Sequence, residues 1–175
     1  MCLLNPADDL TCWRLFSQRR SVMSRESNAQ SSDPTPAPAP APVVLVVEDH
    51  ELTRRAVGRK LQSAGFEVIL VPSAADALIV VQRMAIHVMV LDLNLPDDTD
   101  PFFSIHDGFA MLDWLRRQVG AFRFHIVVHT SQRSDHVFHA AHERGVYAVC
   151  HKERDLSGLV QCVTQAVTDL NKLSA

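Results

Sequence analysis

At 175 residues the chain has room for one domain of ordinary size. Its formal charge of −3, from 20 acidic residues against 17 lysines and arginines, gives no basis for strong affinity for nucleic acid or for an anionic membrane surface. No apolar stretch approaches the roughly 18 residues of a membrane span, and the early Asp8 and Asp9 make a poor secretory signal, so a cytoplasmic location is expected.

Residues 1–26 read as a leader. Leu10, Trp13 and Phe16 would share one face of a helix over 9–23, but a segment this short is not stable alone, and disorder is the expectation. Residues 27–42, SNAQSSDPTPAPAPAP, are a Ser/Ala/Pro-rich linker whose Ala-Pro alternation favours an extended, semi-rigid spacer. The four cysteines, Cys2, Cys12, Cys150 and Cys162, show no CxxC and no pairing pattern, and read as reduced thiols.

From Val43 the pattern changes, and residues 43–175 form the domain. Apolar runs at 43–47, 66–71, 87–91, 124–129 and 146–150 alternate with helical patterns near 51–64, 74–84, 108–119, 134–144 and 156–170. In the last of these, Leu156, Leu159, Val163, Val167 and Leu170 define one face, with Asp155 expected as its N-cap. Gly65 and Gly145 fall where helices should end in the left-handed conformation. Near-continuous apolar strands, each followed by a helix, predict a parallel sheet covered on both faces.

Polar residues cluster at the strand ends. Glu48 and Asp49 follow the first run, Asp92 the third, Thr130 the fourth and Lys152 the fifth. A parallel sheet gathers these ends at one edge, where ligands bind. Carboxylates gathered there resist ionising together and hold raised pKa values without a cation. Hard oxygens of this kind suit Mg²⁺, which takes one or two carboxylates plus phosphate oxygens. A lysine and a hydroxyl beside the ion would meet the remaining phosphate oxygens, so the site looks built to put a phosphoryl group on a carboxylate.

With VVEDH, LDLNLP, Asp107–Gly108, Thr130 and Lys152 in this order, the chain resembles the receiver domain of two-component response regulators over nearly all of 43–172. The resemblance implies a flavodoxin-like, doubly wound, five-stranded parallel α/β sheet of order 2-1-3-4-5 with helices on both faces, the class for which the chemotaxis receiver is a standing example. It implies Asp92 as the carboxylate that accepts a phosphoryl group. It also implies Mg²⁺ held by Asp49, Asp92 and the backbone carbonyl of Asn94, with Glu48 acting through water. Thr130 and Lys152 would contact phosphate oxygens. The donor would be a histidine on a sensor histidine kinase or a histidine phosphotransfer protein.

The resemblance has three departures. Ten residues, 97–106, separate Pro96 from Asp107, far more than is usual, and carry Asp97, Asp98, Asp100, Phe102 and Phe103. That segment is either an insertion without effect or a cap, docking or switching loop. The aromatic switch position holds Val149, and Tyr147, placed on the same strand face one pleat away, is not expected to substitute for it. The residue after the lysine is Glu153, where the family often has proline. Nine histidines invite a metal reading. On one helix His136, His139 and His142 step by three and diverge around it, so a polar face is expected, and His129 and His151 should point away from the site.

No winged-helix or helix-turn-helix pattern follows, so the expected role is a stand-alone receiver, not itself an enzyme, that signals to an unknown downstream protein by contact, without touching nucleic acid or membrane. Two rivals stand beside it. One is an adaptor that keeps the fold without phosphorylation. The other is an aspartate-nucleophile phosphohydrolase, for which Asn94 stands where a second aspartate is usual.

Overall fold

The structure, a computed structural model, describes residues 40–95, 108–118 and 124–173. Five strands, β1 (Val43–Val47), β2 (Glu67–Val71), β3 (Val88–Leu91), β4 (His125–Thr130) and β5 (Ala148–His151), pair in parallel in the order β2-β1-β3-β4-β5. Helices α1 (Glu51–Ser63), α2 (Ala74–Arg83), α3 (Gly108–Gln118), α4 (Asp135–Glu143) and α5 (Ser157–Leu173) alternate with them. This is the doubly wound, flavodoxin-like architecture expected from the sequence.

Alternation along the central strands splits the core into two layers. Leu45 and Val47 of β1 face the layer that α2, α3 and α4 cover with Ala77, Leu78, Met111, Leu112, Leu115, Val137 and Ala141. Val44 and Val46 face the layer that α1 and α5 cover with Val57, Leu61, Leu159, Val163, Ala166 and Val167. Because β1 and β3 are buried on both faces, their sequences are apolar throughout instead of alternating, and β4 is apolar over Ile126–Val128. Truncating a fully buried side chain such as Leu112 to alanine should destabilise the domain by about 2–5 kcal/mol.

Local signals fix the helix ends. The His50 side chain accepts from the Thr53 amide at the start of α1, Ser73 from Asp76 at α2, and Ser134 from His136 at α4. Gly65 and Gly145 follow α1 and α4 with φ of 92° and 77°, as expected of glycines at left-handed helix ends. Asp155, the expected N-cap of α5, stands one residue before the observed cap, Leu156. Leu156 accepts the first helical amide bond of α5, from Val160, while the Asp155 carboxylate accepts from the Ser157 amide.

The fifth strand begins later than the apolar run suggests. Val146 donates its amide to Ala141, closing the end of α4, and Tyr147 precedes the first residue of β5. The leader, the linker as far as residue 39, the 97–106 segment and Asp107 lie outside the described residues. No helix among the described residues is long and apolar enough to cross a membrane.

Candidate functional site: the carboxyl edge of the sheet

Each polar strand-end residue is set by its neighbour's backbone. The Glu48 amide donates to Val71 at 3.2 Å, the Asp92 amide to Val47 at 3.0 Å, and the Lys152 amide to Thr130 at 2.8 Å. Sheet pairing thus continues past the strands and holds residues distant in sequence at one edge. Arg54, in the second turn of α1, reaches back to the carbonyls of Glu48 and Asp49 at 2.7 and 2.9 Å and ties down the acidic turn.

The side chains then meet. The Lys152 ammonium lies 2.8 Å from Glu48 Oε2 and 2.7 Å from Asp92 Oδ2. The other Asp92 oxygen accepts from the Asn94 amide at 3.1 Å. Glu48, Asp49 and Asp92 each offer an oxygen within 4.8 Å of the other two; Glu48 and Asp92 are buried and Asp49 is exposed. Burial raises the Glu48 carboxyl above its ordinary range, opposed by the Lys152 hydrogen bond and reinforced by the charges of Asp92 and Asp49. Burial works against the Lys152 charge, but its bonds to Asp92 and Glu48 outweigh that and raise its pKa.

The rim adds Ser131 and Gln132, which the sequence pattern did not mark. Asn94 donates to the Ser131 hydroxyl at 3.3 Å and accepts from the Gln132 side chain, so the segments after β3 and β4 are bridged across the edge. Thr130 is fully buried, and its hydroxyl accepts from the Gln132 amide at 3.2 Å. Gly108 begins α3 against the Asp92–Leu93 turn. A Cβ there would stand 2.6 Å from both the Asp92 carbonyl oxygen and the Leu93 Cα, so only glycine lets the helix approach this closely.

The family model for the response regulator receiver domain matches residues 44–164. The chain belongs to that family. Among curated proteins, part of the sensor histidine kinase RcsC of Salmonella typhimurium is 29% identical over 104 residues, 59% of this chain and 10% of that protein. The chain therefore spans about a tenth of the curated relatives' length. A sensor protein from Polaromonas sp. JS666 superposes with a TM-score of 0.64 at 28% identity, covering 75% of this receiver and 99% of that chain. A CheY-like receiver domain protein from Methanospirillum hungatei JF-1 gives 0.66 at 16% identity, covering 76% and 98%. The response regulator TrrA from Thermotoga maritima, in complex with Mg²⁺-BeF, gives 0.60 at 17% identity, covering 71% and 98%.

The fifth strand differs from the sequence expectation. Val149 is half-buried and packs on the layer under α2, α3 and α4. Tyr147 does not share its face. It lies before the strand, packs on the opposite layer, and donates its hydroxyl to Asp169 of α5 at 2.7 Å. The pleat alternation that placed the two together does not extend to a residue outside the strand.

The histidines follow their elements. His136, His139 and His142 are exposed along α4, and among the described residues only the three acids form a cluster of metal-binding type. His129 is 2% exposed, with Nε2 unpartnered, and lines a cavity beside α5 together with His151. Burial, with the Lys152 charge nearby, lowers its pKa to about 4.

Proposed function

We propose that this receiver accepts a phosphoryl group on Asp92 from a phosphohistidine of a sensor histidine kinase or histidine phosphotransfer protein, and passes its state to a downstream protein by contact. The observation that carries the reading is the Asp92 carboxylate, buried at the end of a central strand with Lys152 at 2.7 Å and two further acids grouped with it. A carboxylate nucleophile needs little covalent help in phosphoryl transfer; positioning and charge neutralisation supply most of the effect. The Asn94 amide orients one Asp92 oxygen and Lys152 the other, and both donors remain for phosphoryl oxygens. The buried Thr130 hydroxyl is assigned to a further phosphoryl oxygen.

The donor set fits Mg²⁺. Glu48 Oε1 is buried with no hydrogen-bond partner, a state that a cation or its water would relieve, and hard carboxylate oxygens suit this ion. Asp49, Asp92 and the Asn94 carbonyl would hold it, with Glu48 acting through water. When bound, it would supply positive charge against the acids and the incoming phosphoryl group.

The same reading assigns residues 43–175 to the receiver, 27–42 to a linker and 1–26 to a leader. The test is intact-mass measurement after incubation with a small-molecule phosphodonor and Mg²⁺. A single phosphoryl adduct, absent from Asp92→Asn and equal in a chain beginning at Pro42, is expected. No adduct would favour a phosphorylation-independent adaptor, and rapid donor turnover without an adduct a phosphohydrolase. Millimolar Mg²⁺ should raise the thermal midpoint, because it binds the native state.

A further inference from the structure

Cys150 and Cys162 take no part in the acceptor chemistry, yet they meet in space. Cys150 lies in β5 and is 9% exposed, while Cys162 lies on α5 and is half-buried. Both pack in the layer between the sheet and α5, and the Cys150 thiol is perturbed by burial and by Cys162 as its neighbouring group. Both also line a cavity of about 150 Å³ shared with His129, Glu153, Asp155 and Leu156. Water takes about 30 Å³ per molecule in the liquid, so a cavity of this size admits an oxidant as small as hydrogen peroxide. The unpartnered His129 Nε2 offers such a guest a hydrogen-bonding partner.

We propose that Cys150 and Cys162 are an oxidisable pair that closes to an intramolecular disulfide on reaction with hydrogen peroxide. Cys162, the more accessible, reacts first. Its sulfur attacks a peroxide oxygen; the S–O bond forms as the O–O bond breaks, and the departing hydroxide takes the thiol proton and leaves as water. The sulfur of Cys150 then attacks that of Cys162. The S–S bond forms, the S–O bond breaks, and hydroxide leaves with the Cys150 proton as a second water. Two thiols lose two electrons in total, and one peroxide is reduced to two waters.

The order follows from the surroundings. Burial and the neighbouring Cys162 push the Cys150 thiol up to about 12, while His129 is held neutral, so no thiolate–imidazolium pair primes Cys150 for the first attack. It is the resolving thiol, acting on a partner already beside it. The closed loop contains Lys152, the residue that holds both Glu48 and Asp92, so the oxidation state of the pair constrains the turn that carries the acceptor site's cation.

The test treats the full reduced chain with excess hydrogen peroxide, alkylates remaining thiols after unfolding, and maps the peptides by mass. A peptide joining Cys150 to Cys162, lighter by two hydrogens than its parts, cleaved by dithiothreitol and absent from Cys162→Ser, is expected. Recovery of both cysteines alkylated, or separately as sulfinic or sulfonic acids, would overturn the proposal, as would cross-links confined to Cys2 or Cys12. In Cys150→Ser, Cys162 should be recovered oxidised beyond the thiol; an intact Cys162 there would overturn the assigned order.

Discussion

The edge that carries Asp92 and the face formed by α4 and β5 are built to opposite standards. At the edge, Glu48, Asp92 and Lys152 are each tied twice, by backbone to an adjoining strand and by side chain to one another. On the other face α4 buries only Val137 and Ala141, leaves Phe138 36% exposed, and borders a cavity of about 470 Å³ lined by His139, His142, Val146 and Val149. Its C-terminal end is braced, where Arg144 meets both Asp113 oxygens at 2.9 and 3.2 Å and lies over the Phe109 ring, while among the ring contacts of the described residues Phe138 meets only the His151 ring, edge-on at 5.2 Å. Charge has to be positioned within fractions of an ångström to act on a phosphoryl group, whereas a loosely packed element can shift at little cost. The contrast fits the proposed chemistry at the rigid edge, with the capacity to respond assigned by the same proposal to the N-terminal part of α4.

The sharpest way to break this contrast is Lys152→Met. It leaves two buried carboxylates without their cation, and a loss of about 4 kcal/mol in urea unfolding is expected. A loss under about 1 kcal/mol would mean that the edge is not held together electrostatically.

Next in size is a pH effect at His129. Its folded pKa of about 4 lies below the ordinary 6.5, so the folded state disfavours the proton. The associated stability is complete above pH 6.5 and is lost as pH falls toward 4, because the unfolded chain binds the proton first. At about 1.4 kcal/mol per unit this amounts to roughly 3 kcal/mol. Urea unfolding from pH 7 to 4 should show this slope, and His129→Gln should flatten it.

Gly108→Ala should cost about 2 kcal/mol by forcing α3 off the acceptor turn, and should slow adduct formation as well. Phe138→Ser, on the loose face, should change stability by only about 0.5 kcal/mol. If it cost as much as Lys152→Met, the division into a firm edge and a soft face would fail.

Much of this was written in the sequence because it is local or periodic. The doubly buried strands read as apolar runs, Gly65 and Gly145 marked helix ends, and the strand-end acids and Lys152 fell on one edge by topology alone. What the sequence hid depends on contacts between distant residues. Gly108 is visible as half of a dipeptide, but its need to be glycine comes from the Asp92 backbone. The Asn94–Gln132 bridge spans 38 residues and leaves no pattern. The start of β5 was misplaced because Val146, apolar like a strand residue, is spent on closing α4, and that slip carried Tyr147 to the wrong face.

The most direct test of the contrast is hydrogen exchange of the full chain with and without Mg²⁺ and beryllofluoride, a phosphoryl mimic. Changed protection is expected across 131–141, with residues 43–48 and 88–92 remaining slow in both states. Unchanged exchange in 131–141 when the mimic is bound, or a large change in β1 and β3 in its place, would contradict the account.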